Sequence, residues 1–256
     1  MQEKRFYNLT NPQKSIWVTE EYYKGSSINN ICGTALIKEN VNLRLLEKAI
    51  HATLQNNDIF KIKFSINNNE VMQYVSDYVN SDIVYLRAKN LNEYKKVLNE
   101  IVSKPFQLLN SHPYNFYIIT FPNGHAAFCL NIHHILADSW ALGFLSKQIV
   151  KTYCAYLLAD IPYEYETYSY VDYIKSEEKY KKSKRFLNDK AYWNKEFETI
   201  PDIPILPGSN RASIYEENIS AERLKINLDV DFVRKIKKYC RKNNISLFNF
   251  FMAICV

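Results

Sequence analysis

Glycine is scarce in this chain, with five residues in 256. No G-x-G-x-x-G or G-x-x-x-x-G-K-[ST] run occurs, which excludes the loops that cradle phosphates with backbone N–H groups. The five cysteines, Cys32, Cys129, Cys154, Cys240 and Cys255, are odd in number and form no C-x-x-C pair. That pattern fits free thiols in a reducing compartment, with Cys32, Cys129 and Cys255 inside apolar runs. No stretch approaches 18 uninterrupted apolar residues, so no membrane partner is expected. The opening MQEKRFYNLTNPQKS has no apolar h-region, so no secretory signal is expected and the cytoplasm is the expected location.

What is present is ordinary globular composition, 47% hydrophobic and 23% charged, with 20 tyrosines. A chain of this length can bury one large core or two smaller ones. The net charge is +6, and its basic residues gather at Lys179–Lys190 and Arg234–Lys242. KYKKSKRFLNDK admits reading as a nucleic-acid patch. Its flanking acids, Glu177, Glu178, Glu196 and Glu198, and its spacing favour a solvated helix face, so no nucleic-acid partner is expected.

Helices are expected where apolar residues recur at helical spacing: after Asn11-Pro12, over 42–57, 91–102, 138–158, 170–183, 185–199, 230–243 and 246–256. Strands are expected over 29–40, in a hairpin from Phe60 turning at Asn67–Asn69, over 83–87, and in a hairpin around Pro122-Asn123-Gly124. A strand candidate follows at 221–227. Three prolines in IPDIPILPGSN, residues 200–210, exclude a helix there. The class is α+β, a mixed sheet with flanking helices. The last segment, SLFNFFMAICV, is apolar almost all round and lacks a helix stop signal, so the chain is expected to be cut inside a second lobe.

Only five histidines are present, yet two stand side by side in NIHHILADSW. His51 reads as a surface residue; His112 and His125 read as core or loop positions. On a strand, neighbouring side chains point to opposite faces. His133 and His134 therefore cannot chelate one ion from a regular strand, and neither H-E-x-x-H nor a cysteine cluster supplies a zinc site. The order strand, His-His, short loop, Asp, helix places one imidazole at a cavity mouth while the other packs inward. Asp138 stands where a carboxylate caps a helix. An imidazole near neutral pKa can hold or accept a proton from a weak nucleophile.

HHILADSW resembles the H-H-x-x-x-D-G motif of non-ribosomal peptide synthetase condensation domains, members of the chloramphenicol acetyltransferase-like acyltransferases. LTNPQKSIW resembles that family's S-x-A-Q-x-R-L-W, with Gln13 and Trp17 matching. NNDIFKIKF resembles R-H-E-x-L-R-T-x-F, with Asp58 for Glu and Lys61 for the second Arg. YVDYIKSE resembles Y-x-D-[FY]-A. YWNKEF followed by IPILP, and NNISLFNFFMAI, complete the order.

The resemblance implies a two-layer sandwich lobe of chloramphenicol acetyltransferase type, truncated at the start of a similar second lobe. Residues 1–165 would form the first lobe, 166–210 a helical linker and 211–256 the start of the second. It implies amide formation between a donor acyl or peptidyl thioester and an aminoacyl acceptor. Both would be carried on phosphopantetheine arms of carrier proteins, with no cofactor or metal bound directly. An adenylation domain and the missing lobe are the further implied partners. Without that lobe the fragment is expected to be inactive and prone to self-association. His134 would face the tunnel and position the amine, His133 would be structural, and Asp138 would hold the loop through an ion pair with Lys61. Trp140 would pack. Ser139 replaces the family glycine, adding a side chain that disfavours positive φ. Ser139 and Lys61 slightly favour a non-catalytic docking platform, while the intact histidines and Asp138 favour an enzyme. An O-acyltransferase of the same superfamily is the other alternative.

Overall fold

The computed structural model describes residues 4–78, 82–159, 168–201 and 225–254. They fall into two compact units, Met1–Glu196 and Phe197–Val256.

In the first unit the expected alternation produces two sheets. The four-stranded sheet runs in the order β2 (Asn30–Ile37), β7 (Ala126–His133), β6 (Tyr114–Thr120), β5 (Val84–Arg87). β7 is antiparallel to both neighbours, whereas β5 and β6 are parallel. Every residue of β7 is buried. It is central, and both its faces are covered, which explains its continuous apolar run. Phe128, Leu130 and Ile132 enter the main core, while Ala127 and Cys129 join a smaller cluster with Tyr94 and Ile101 of α3 (Leu91–Val102). Asn131 on that second face donates to the Ile101 carbonyl at 3.2 Å.

The main core is closed by α2 (Leu43–Asn56) and α4 (Ser139–Ala159), which pack together, with α4 also crossing β2. The apolar stripe expected on α4, Leu142, Leu145, Ile149, Tyr153 and Tyr156, is buried except for Tyr156, which is half-buried against the core. At the crossing, Gly33 permits a close approach: a Cβ there would lie 3.4 Å from Leu142 Cβ. The second sheet has three strands in the order β1 (Phe6–Asn8), β4 (Glu70–Val75), β3 (Ile62–Asn67). Its β3–β4 turn places Asn68 and Asn69 at positive φ, the conformation that short hairpins require. β1, only three residues long, has no periodicity to announce it. Phe60, expected to begin β3, lies instead in a 3-10 turn over Asp58–Lys61.

Three helices of this unit remain: α1 (Asn11–Tyr22), α5 (Tyr170–Lys181) and α6 (Lys184–Glu196). The basic run lies on the last two. Arg185 pairs with Asp189 at 3.7 Å on a solvated helix face, while Lys181 pairs at 2.8 Å with Glu177, whose side chain is mostly buried. In the second unit, α7 (Val230–Lys242) is capped by the Asp229 carboxylate and α8 (Leu247–Met252) by the Ser246 hydroxyl. The proline run and residues 221–224 of the expected strand lie outside the described residues, and 225–229 have no regular structure.

Candidate active site

The histidine pair sits where β7 ends. His133 is the last strand residue and is 1% exposed; His134 begins the turn and is half-buried. The two imidazoles therefore meet different surroundings, one at the strand's end and one in the turn.

His133 is held on both ring nitrogens. Its Nδ1 accepts the Ile135 backbone N–H at 3.2 Å, so Nε2 carries the proton and donates to Glu20 Oε2, also at 3.2 Å. Two partners thus fix the tautomer of a neutral ring. The Phe106 ring stands edge-on to it. Burial pushes the His133 pKa below its ordinary value of 6.5; hydrogen bonding to Glu20 and its negative charge oppose this, and His134 adds to the lowering. The unfolded chain then binds a proton near pH 6.5 that the folded chain resists. This contribution to stability is complete above that pH and is lost as pH falls toward the folded pKa. Half-buried His112, also lowered chiefly by desolvation, shares the sign. We expect melting temperature to fall from pH 6.5 toward pH 5, and the slope to flatten in His133→Gln; an unchanged slope in that variant would contradict this assignment.

His134 is positioned through its backbone, whose N–H donates to the Asn29 carbonyl at 2.8 Å. The following residue is tied from α1: Gln13 Nε2 reaches the Ile135 carbonyl at 3.4 Å. Gln13 also exchanges side-chain amide hydrogen bonds with buried Gln73 on β4 and accepts the Thr10 N–H at the helix start. The Gln of the first motif is thus a clamp on the histidine turn. Asp58 of the second motif accepts the Tyr170 N–H and the Ser169 hydroxyl at the start of the fourth motif's helix, α5. Glu177 of that same motif accepts the Asn11 N–H at 2.9 Å, closing the ring of contacts back to α1. Gln13 thus meets the turn itself, while Gln73, Asp58 and Glu177 hold the helices behind it.

Asp138 caps α4: its Oδ1 accepts the Ala141 N–H at 2.7 Å. Among the described residues it makes no ion pair with Lys61, whose own carbonyl instead holds Ser76. That expectation is corrected. The carboxylate is turned into the helix N-terminus, where the free N–H groups and dipole hold it. Asp138→Ala is expected to cost about 1 kcal/mol, the ordinary loss of a cap, and Lys61→Met less than about 0.5 kcal/mol, both read from urea melts. A Lys61 loss equal to that of Asp138 would reinstate the pair.

Ser139 opens α4 without strain: the positive-φ residues other than glycine, among those described, are Asn68, Asn69, Asn110 and Asn244. Its conformation does not demand glycine. Trp140, expected to pack, is 86% exposed, because it lies in the first turn of α4 off the buried stripe. Glu20 and Asn29 lie outside every motif quoted from the sequence. The available signal for Glu20 was its place seven residues after Gln13, on the same helix face. A cavity of about 760 Å³ beside the β6–β7 turn, lined by Leu36, Lys38, Phe121 and His125 among others, lies at the opposite end of β7 and contains none of these residues.

The family model described as "Condensation domain" matches residues 3–256. The chain belongs to the condensation-domain family. It is 29% identical to surfactin synthase subunit 1 of Bacillus subtilis (strain 168), over 97% of this chain and 7% of that protein. It is 21% identical to bacitracin synthase 3 of Bacillus licheniformis, over 99% of this chain and 4% of that protein. Among solved structures, the starter condensation domain of the rhizomide synthetase, in a doubly substituted form, gives a TM-score of 0.71 at 17% identity. The match covers 77% of this chain and 49% of that one. The first condensation domain of the calcium-dependent antibiotic synthetase gives 0.70 at 15% identity, with the same coverages. The fold is the chloramphenicol acetyltransferase-like fold of these condensation domains. The chain thus spans about half the length of these solved relatives, and less than a tenth of the two synthetases.

Proposed function

We propose that this chain is the first part of a condensation domain that joins a carrier-bound acyl or peptidyl thioester to a carrier-bound aminoacyl group. The observation that carries the reading is the division of labour at the end of β7. His133 is buried and held at both nitrogens, while His134 is half-buried with its backbone fixed.

In this reading His134 hydrogen-bonds the acceptor amine as it attacks the thioester carbonyl. The C–N bond forms and the C–S bond breaks. The amine's proton passes by way of His134 to the departing phosphopantetheine thiolate. His133 does not exchange protons, because both its nitrogens are engaged. Asp138 stabilises the turn by capping α4, and Ser139 is no nucleophile, since no acyl-enzyme is required. Lys61 and Trp140 remain supporting residues, the latter an exposed surface beside the site. The phosphopantetheine arms stay with donor and acceptor carrier proteins, so the chain itself binds no cofactor. A second lobe closes the groove into a tunnel, so the 256-residue chain alone is inactive. An adjoining adenylation domain supplies the aminoacyl group, and the whole works in the cytoplasm.

The test presents the complete domain with loaded donor and acceptor carriers, and offers an alcohol acceptor in parallel. Amide product on the acceptor carrier supports condensation. Ester product from the alcohol alone would favour an O-acyltransferase. Carrier binding without product would favour a docking platform.

A further inference from the structure

We propose that Glu20 is a positioning residue, a buried carboxylate that holds His133 and Asn29 and, through them, the backbone that carries His134. The inference rests on the reading of the site given above, and it adds a residue that none of the sequence motifs contains.

Glu20 lies on the third turn of α1 and is 8% exposed, while Glu21 beside it is exposed. A carboxylate is costly to remove from water unless its oxygens are satisfied. No lysine or arginine pairs with it among the described residues; its partners are a histidine and an asparagine. Both converge on one oxygen: Oε2 accepts His133 Nε2–H at 3.2 Å and Asn29 Nδ2–H at 2.9 Å. Asn29 in turn offers its carbonyl to the His134 N–H at 2.8 Å. The same carboxylate therefore reaches the turn by two routes, one through the His133 ring to the Ile135 N–H and one through Asn29 to the His134 N–H.

Three successive residues are thereby fixed by groups outside the turn: His133 by its ring, His134 by its N–H, and Ile135 by its carbonyl through Gln13. The His134 side chain takes no part in this network. Its direction follows from the backbone beneath it, and small displacements of a reacting group carry large rate penalties. An apolar side chain of similar volume at position 20 would fill the same space and satisfy neither donor. This separates positioning from packing.

The experiment compares Glu20→Met with Glu20→Gln. In the complete domain, Glu20→Met is expected to lower kcat by about tenfold to a hundredfold, the effect of losing a buried hydrogen-bond acceptor that orients the backbone beneath a reacting group. KM for the acceptor carrier should stay unchanged. Glu20→Gln, which keeps an oxygen acceptor, should recover most of the rate. Equal rates in wild type and Glu20→Met, or losses in both variants that merely track melting temperature, would overturn the proposal. In the 256-residue chain, amide exchange at His134 and Ile135 should quicken about tenfold in Glu20→Met but not in Glu20→Gln. Unchanged exchange would also overturn it. If wild type forms no product, the functional reading fails, while the exchange measurement still decides whether Glu20 holds the turn.

Discussion

Replacing His134 by alanine is expected to lower the rate of amide formation by about 10²–10⁴-fold, the range of general acid–base catalysis. The loss should fall on kcat, with both carriers still binding and the fold unchanged. The structure supports this separation. The His134 N–H bond to Asn29 belongs to the backbone and survives truncation, and its half-buried ring lies outside the bracing network. Truncating His133 is a different experiment. It strips the Ile135 N–H of its acceptor and Glu20 of a donor inside the protein, and so should reduce stability and activity together. Single-turnover rates measured beside thermal melts distinguish the two. A His134→Ala enzyme within a few-fold of wild type would remove the imidazole from the chemistry.

The largest effect on stability is expected at Phe60. Its ring is fully buried, edge-on to Tyr114 and Phe116, in the core that closes the four-stranded sheet. Its carbonyl also accepts the Tyr114 hydroxyl at 3.0 Å. Truncation to alanine removes the ring from close-packed surroundings and leaves a cavity, at a cost of about 3–5 kcal/mol. For a domain of this size the melting temperature should drop by roughly 10 °C. Phe60→Leu, which keeps most of the volume, should lose less than half as much. Equal losses in the two variants would mean that the ring contacts, not the filled volume, dominate. A loss below about 1 kcal/mol would place Phe60 outside the core.

The sequence made the paired histidines, the β6–β7 hairpin, the amphipathic stripe of α4 and the β3–β4 turn legible, because each is a local pattern: period two, period 3.6, or a turn-forming Asn or Gly. Less visible was anything that depends on contact across the fold. β1 is too short to show a period, and it is defined by its pairing with β4. The parallel pairing of β5 with β6 cannot be read from β5, whose four residues look the same in either direction. Packing of Trp140 is expected because it matches an aromatic common after the family's motif, whereas its helical position turns it outward. The Asp138–Lys61 pair is what the family resemblance implies, with Lys61 in the place of the family's arginine. The helix N-terminus, nearer and richer in donors, takes the carboxylate instead. Glu20 was invisible for the converse reason: an acidic residue on a helix reads as surface until its buried partners, His133 and Asn29, are seen.

The most direct measurement is the intact mass of the acceptor carrier over time, after the complete domain meets both loaded carriers, with wild type and His134→Ala side by side. The account predicts a mass gain equal to the donor acyl group, formed by wild type and lost in the variant. The same gain at the same rate from both enzymes, or none from a folded wild type that binds both carriers, would contradict it.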